Sequence, residues 1–474
     1  MVGSRGKAPG GVRGCAPAKG LPGPPEGRLI VAAAPHTLQL AQPVAGLNHV
    51  LAYGQSLSTG WEGWPALSLC PRGDSLMLGR SVRPVSEHAP HFVPVGGAAL
   101  HPLVATVQDV ATGGLLTAEQ VAGLPERSPA LGETVLEAAV NAYRSDLLAA
   151  RGGAAEPARM LASACGVGGR TLEALSRGAR PELFNRLRDC AALAKQAAAG
   201  QRYQVLALLL LQGEHNAWGL DGGTADRVAY RAMLVRLCLD IAAELAKGIA
   251  GQHMPPALFT YQTGGAYASD ELGVAMAQLD VALAFPGCFM VGPAYPVTDK
   301  GGHLDANGYR WLGAQFGKVM HRVLTLGEAW RPLHPHSAAL DGRTVRVRFA
   351  VPEPPLAWGR PFAGHQRVEV ADRGFTFIDA DGVVPVQELA LTGPDSLALV
   401  LTRKPRPPAS LRYADRRHAG LGALHDSDAT VAQDRYVFDP LTGHPASADV
   451  PELVGRPYPL MNWCVAFNIP FTPA

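Results

Sequence analysis

Charged residues are scarce in this chain. Asp, Glu, Lys and Arg make up 17% of its 474 residues, and 42 basic against 40 acidic side chains leave a formal net charge of +2. So even a balance sets up no field for nucleic acid or an anionic membrane, and neither is expected as a partner. Cysteine is sparse in a second sense: Cys15, Cys70, Cys165, Cys190, Cys238, Cys288 and Cys464 are scattered, with no C-x-x-C pair and no companion histidine spacing. That pattern offers no metal site, and an odd, unclustered count is no disulfide framework. Cys165, Cys238, Cys288 and Cys464 sit in apolar runs and read as small core residues. No stretch approaches the ~20 continuous apolar residues of a membrane span. Nor does the beginning of the chain carry the apolar block of a secretory signal, so the default compartment is the cytoplasm.

What is present is a long, loop-rich globular chain. It is 47% hydrophobic, with 54 Gly and 40 Pro, enough for two domains and a sizeable core. Residues 1–26 are rich in Gly, Pro and Ala and read as a disordered extension. A small β lead-in is expected over 28–34 and 37–40, completing a first segment of 1–45.

From residue 46 strands and helices alternate. An apolar run, Val50 to Tyr53, breaks at Gly54 and delivers Ser56 to a loop. Residues 61–130 are dense in Gly and Pro and read as long loops that shape a binding site. Val135, Leu136, Ala139, Val140 and Tyr143 have helical spacing. A short apolar run over 160–164 and a helix over 181–199 come next. Residues 203–211 are the most strand-like run of the chain, buried on both faces. Helices over 226–246, 271–284 and 306–323 alternate with strands over 257–263 and 288–292. This argues a three-layer α/β/α domain, 46–326, with a parallel sheet of flavodoxin-like type. Beyond His334 and His336, which read as linker, the period changes to two. Val345, Val347 and Phe349 alternate with Arg346 and Arg348, and further alternations and turn signals follow. A smaller all-β, sandwich-like domain is expected over 335–474.

In parallel sheets of this kind, functional groups collect at the carboxyl ends of the strands. Four polar or glycine-rich clusters lie just past expected strands: Ser56; residues 166–169; Gln212 with Gly213, Glu214, His215 and Asn216; and Asp299 to His303. Serine is a weak nucleophile alone and needs a base, an orienting group and oxyanion donors. The later clusters carry such groups.

In this order the clusters resemble the SGNH (GDSL-type) hydrolases, in particular the branch with carbohydrate acetylesterases and sialate O-acetylesterases. Gly54, Gln55 and Ser56 match that branch's opening Gly-Gln-Ser. Gly168 and Gly169 match its glycine turn, residues 212–216 its Gln-Gly-Glu block, and His303 the histidine before its last helix. The resemblance covers residues 47–323. It implies Ser56 as nucleophile, His303 as general base and acid, and the Ser56 N–H, Gly168 N–H and Gln212 amide as oxyanion donors, with Gln55 and Glu214 beside them. No cofactor and no metal are implied. Glu214 reads as support for Gln212 or its loop, and His215 as a surface residue.

The family places its acid three residues before the histidine, where this chain has Lys300. Asp299, four residues before His303 with Gly301 and Gly302 between them, is the expected acid. Asp305 sits where a helix N-cap is wanted, and a Ser–His dyad oriented by a backbone carbonyl is the remaining alternative. Trp61, Trp64 and Trp218 read either as a sugar-stacking rim or as core and lid packing. The expected activity is hydrolysis of an acyl ester, acetyl foremost, on a glycan or other small hydroxylated substrate. The competing reading is a carbohydrate-binding or adhesion protein on the same scaffold that has lost catalysis with its displaced acid. A lipase or thioesterase of the same fold would want a more apolar acyl channel than the sequence displays.

Overall fold

A computed structural model of the chain describes residues 26–27, 39–152 and 158–471. Its centre is a seven-stranded sheet built from β1 (Gly46–Gly54), β2 (Leu76–Leu78), β3 (Leu100–Pro102), β4 (Ala158–Ala164), β5 (Tyr203–Leu211), β6 (Ala257–Gln262) and β7 (Cys288–Pro293). The spatial order is β3-β2-β4-β1-β5-β6-β7, and every pairing is parallel except β2 with β3. Without the two short edge strands, the order of first appearance is 2-1-3-4-5, the flavodoxin-like winding. The chain reverses its direction of travel between β1 and β5, and such a switch point opens a crevice at the carboxyl ends of the strands.

Alternate side chains of β1 enter opposite layers. Val50 and Ala52 pack with α1 (Val135–Ala150) and α5 (Ala306–Met320), while Leu47, Leu51 and Tyr53 pack with α2 (Asn185–Ala197) and α3 (Arg227–Ile241). With both faces covered, β5 has no residue that faces water, which explains its unbroken apolar run. The five described buried cysteines, Cys190 included, are free thiols inside these layers or the β core.

Two sequence expectations fail locally. Residues 61–130 are not loops throughout, because β2 and β3 lie there and extend the sheet at its edge. Three residues of strand flanked by Gly and Pro carry too short a period to be read. Glu26, placed in the disordered extension, and the following Gly27 pair instead with Ala339 and Ala338 at an open sheet edge. The lead-in expected over 28–34 lies outside the described residues. Of 37–40 only Gln39 and Leu40 are described, and they form no strand.

The remaining sheets are antiparallel. β8 (His334–Asp341), β9 (Thr344–Ala350), β11 (Val386–Gly393) and β12 (Ser396–Leu401) belong to one; β10 (Phe375–Asp379), β13 (Ala409–Tyr413) and β14 (Phe467–Phe471) to another. Val345, Val347, Leu397, Leu399, Phe377, Leu411 and Ile469 fill one core between them, which continues onto Leu272, Ala275, Met276 and Leu279 around α4 (Gly273–Ala284). The last part of the chain returns to the α/β layers. The Trp311 indole donates to Pro459 O at 2.7 Å, and Tyr458 packs flat on that indole.

Helix α1 shows how local sequence and burial compete. Thr134 caps it, and Glu137 completes the capping box by accepting from the Thr134 N–H. Glu137 is fully buried, and Glu133 lies near it. Burial first, and the Glu133 charge second, push the Glu137 carboxyl up to about 7. The folded state therefore holds a proton that the unfolded chain has already released, and stability falls as pH rises from ordinary carboxyl values through about 7. Glu137→Gln keeps the box and removes the charge. Its melting temperature is expected to exceed that of wild type by more at pH 8 than at pH 5. An equal difference at both values would contradict this.

Candidate functional site

The site begins at Gly54. A Cβ there would lie 1.9 Å from Leu211 O, so only glycine lets β1 end this close to β5. The chain then turns into a four-residue helix, Ser56–Thr59, with Ser56 nine-tenths or more buried and its N–H without an acceptor among the described residues. Ser56 Oγ lies 3.0 Å from His303 Nε2. Those two groups come from opposite ends of the α/β fold, 247 residues apart in sequence.

The carboxylate behind His303 is not the expected one. Glu62 Oε2 lies 3.4 Å from His303 Nδ1, an ion-pair separation slightly longer than a hydrogen bond. Glu62 holds a left-handed backbone, φ +60°, a conformation that costs a non-glycine residue on the order of 1 kcal/mol or more. It is pinned there by its N–H on Ala130 O at 3.0 Å, and the adjacent Trp61 O accepts from the Tyr309 hydroxyl at 3.0 Å. Backbone strain held in place by surrounding bonds is the kind found at functional sites.

Asp299 makes no such contact. Its Oδ1 accepts from the Gly301 N–H, closing a turn in which Gly301 and Gly302 take φ of +80° and +142°. Lys300 N–H bonds His303 O at 2.7 Å and completes the turn. The two glycines therefore do not swing Asp299 toward the imidazole but fold its carboxylate onto the loop's own backbone. Lys300 extends away, its Nζ 3.9 Å from the centre of the Trp64 ring. Asp305 caps α5 through the Gly308 N–H at 2.6 Å and pairs with His365 at 2.9 Å, so it too faces elsewhere.

Two expected oxyanion donors, Gln212 and Gly168, are placed differently from the sequence reading. The Gln212 amide spends both donors on Asn216 Oδ1 at 2.6 Å and Arg170 O at 3.3 Å, and its oxygen accepts from the Tyr230 hydroxyl at 2.5 Å. A carboxamide bound on every side orders the loop beside Ser56 and has no donor left for an oxyanion. The Gly168 N–H is engaged as well, by Glu87 Oε1 at 2.7 Å. Glu214 faces Tyr261 and Thr263, not the serine: its Oε1 accepts from the Thr263 hydroxyl at 2.9 Å and from Tyr261, and burial raises its pKa. Gln55 lies against the Gln-Gly-Glu loop, where its Oε1 accepts from the His215 N–H at 3.1 Å. The Gly169 N–H, like that of Ser56, has no acceptor among the described residues.

Aromatic rings frame the pair. Trp61 stands 6.1 Å from the His303 ring, and a Cβ on Gly168 would lie 3.3 Å from its indole. Tyr267 reaches over Gly302, and half-exposed Trp218 lies against it at 5.1 Å between ring centres. Trp64 is instead buried, its indole bonded to Ser128 O. His215 pairs with Asp221 at 2.7 Å beside this rim.

With that geometry in view, the chain matches a solved carbohydrate acetylesterase from Xanthomonas citri with a TM-score of 0.52 at 16% identity. The match covers 80% of this chain and 77% of that one. The fold is shared with that esterase. An aryl esterase of M. smegmatis matches at 13% identity and a TM-score of 0.29, over 58% of this chain and 99% of its own. A carbohydrate acetylesterase family member from Sinorhizobium meliloti matches at 15% identity and 0.29, with the same coverage. The Xanthomonas citri protein is a carbohydrate acetylesterase, the kind of protein that the Gly-Gln-Ser and Gln-Gly-Glu motifs resemble. No family model matches the chain, and no curated protein does.

The motif resemblance places the acid beside the histidine, whereas Glu62 lies on a different loop, far from His303 in sequence. The signal available was its position six residues past Ser56, between Trp61 and Gly63, as the first carboxylate after the serine.

Proposed function

We propose that this chain is a serine esterase that removes short acyl groups, acetyl foremost, from a hydroxylated substrate such as a carbohydrate. The contact between Ser56 Oγ and His303 Nε2 at 3.0 Å, with Glu62 behind the imidazole, carries the reading. In the first half-reaction Ser56 Oγ bonds the carbonyl carbon while its proton passes to His303 Nε2. His303 then returns the proton to the departing sugar oxygen. In the second half a water, deprotonated by His303, attacks the acyl-serine and releases the carboxylic acid and Ser56. Glu62 holds the imidazole ring and balances its charge while it carries the proton. The N–H groups of Ser56 and Gly169, without acceptors among the described residues, are available as donors for the oxyanion.

The non-catalytic alternative rested on the displaced acid, and a carboxylate contributed by another loop removes that ground. For the leaving group, Trp218 and Tyr267 offer an apolar face of the kind that stacks on a pyranose ring. The reading is tested by acetate release from acetylated oligosaccharides and by a series of acetate, butyrate and octanoate esters. Hydrolysis confined to short chains is expected; a preference for octanoate would make the protein a lipase instead. Trp218→Ala is expected to raise KM for an acetylated oligosaccharide by about tenfold, with ethyl acetate changed by less than about twofold. Equal effects on both substrates would remove the stacking role.

A further inference from the structure

Glu87 has no place in the reaction as described, yet it holds the N–H next to that of Gly169. Its carboxylate is almost wholly buried and takes the Gly168 N–H at 2.7 Å. Gly168 belongs to the loop after β4, which runs along the nucleophile's strand: Cys165 N–H bonds Ala52 O, and Val167 N–H bonds Gly54 O. Trp61 bridges from Gly168 to the His303 ring. A buried carboxylate is therefore held on the glycine next to Gly169, one of the two donors assigned to the oxyanion.

Glu87 is also isolated from direct neutralisation. The guanidiniums nearest to it are Arg186 and Arg83, both buried, and neither forms an ion pair with it. Arg186 is bound to the carbonyls of Gly166, Ser86 and Ala89 at the foot of the same loop. Arg83 is bound to those of Thr59, Gly132 and Thr106. From the helix of the nucleophile, Thr59 is the polar side chain that faces it, and His88 is its neighbour in sequence. Burial pushes the Glu87 carboxyl up, Arg186 and the Gly168 N–H pull it back only in part, and it settles at about 7.

We infer that Glu87 is a positioning residue that sets the strength of the oxyanion site through Gly168. Neutral, it is a weak acceptor, and the Gly168 N–H turns to an oxyanion formed at Ser56. Ionised, it retains that N–H and opposes the negative charge developing beside it in a low-dielectric pocket. Activity then depends on two protonation states of opposite sense. A general base acts only unprotonated, which gives a rising limb, and activity falls above about pH 7 as Glu87 ionises. This inference rests on the esterase reading.

The test is kcat/KM for p-nitrophenyl acetate from pH 5 to 9 in wild type, Glu87→Gln, Glu87→Ala and Ser56→Ala, with folding checked by thermal melts. Wild type should give a bell. Glu87→Gln, which can still accept the Gly168 N–H, should keep the rising limb, lose the falling one, and exceed wild type by about tenfold at pH 9. Glu87→Ala should lose the falling limb as well, which keeps the test open if one variant fails to fold. A falling limb retained in both variants, or absent from wild type, overturns the role of Glu87 while Ser56→Ala remains inactive. Ser56→Ala as active as wild type would instead overturn the esterase reading itself.

Discussion

Ser56→Ala is expected to lower kcat/KM for p-nitrophenyl acetate by about a thousandfold or more. On the esterase reading the substitution removes the attacking atom, and it leaves the pocket's shape almost unchanged. Ser56 makes no structural side-chain bond besides the one to His303, so the variant should fold and melt as wild type does. What activity remains would come from the surrounding donors and from binding alone. Mass spectrometry offers a second readout: an acetyl adduct on Ser56 during turnover of wild type, absent from the variant. Equal rates in the two proteins would remove Ser56 from the reaction.

Glu62→Gln is expected to cost about a hundredfold in kcat with little change in KM. A neutral amide at that position fails to balance the imidazolium, and its N–H can bond Nδ1 and favour the wrong tautomer. Asp299→Asn should stay within a factor of about three of wild type, because Asn can still accept the Gly301 N–H that Asp299 now accepts. The contrast between the two variants decides the acid. A hundredfold loss in Asp299→Asn with an active Glu62→Gln would return the role to the residue near the histidine in sequence.

The distance between these two carboxylates in the sequence also shows what patterning can and cannot reveal. The covered parallel sheet was legible. Runs such as 203–211 are apolar because both faces of their strands are covered, and that burial is a property of composition over several residues. The serine and the histidine were legible for a related reason. Strand ends in a parallel sheet converge, so a polar cluster after each strand belongs to one crevice wherever it lies in the chain.

What no pattern contains is the direction in which a side chain points once its loop has closed. Asp299 and Glu62 are both acids in glycine-flanked loops. One is folded onto its own turn by two glycines at positive φ, the other carried to the imidazole by a strained backbone and bonds from Ala130 and Tyr309. Gln212 and Gly168 present donors in the sequence, but Asn216, Tyr230 and Glu87 consume them in space. By itself the sequence determined the layers and the crevice at the strand ends, since these follow from hydrophobic period and element order, while the motif resemblance pointed to Ser56 and His303. The tertiary structure alone decided which carboxylate serves the histidine and which donors remain free. A hydrogen bond is spent once, and only the closed fold shows where.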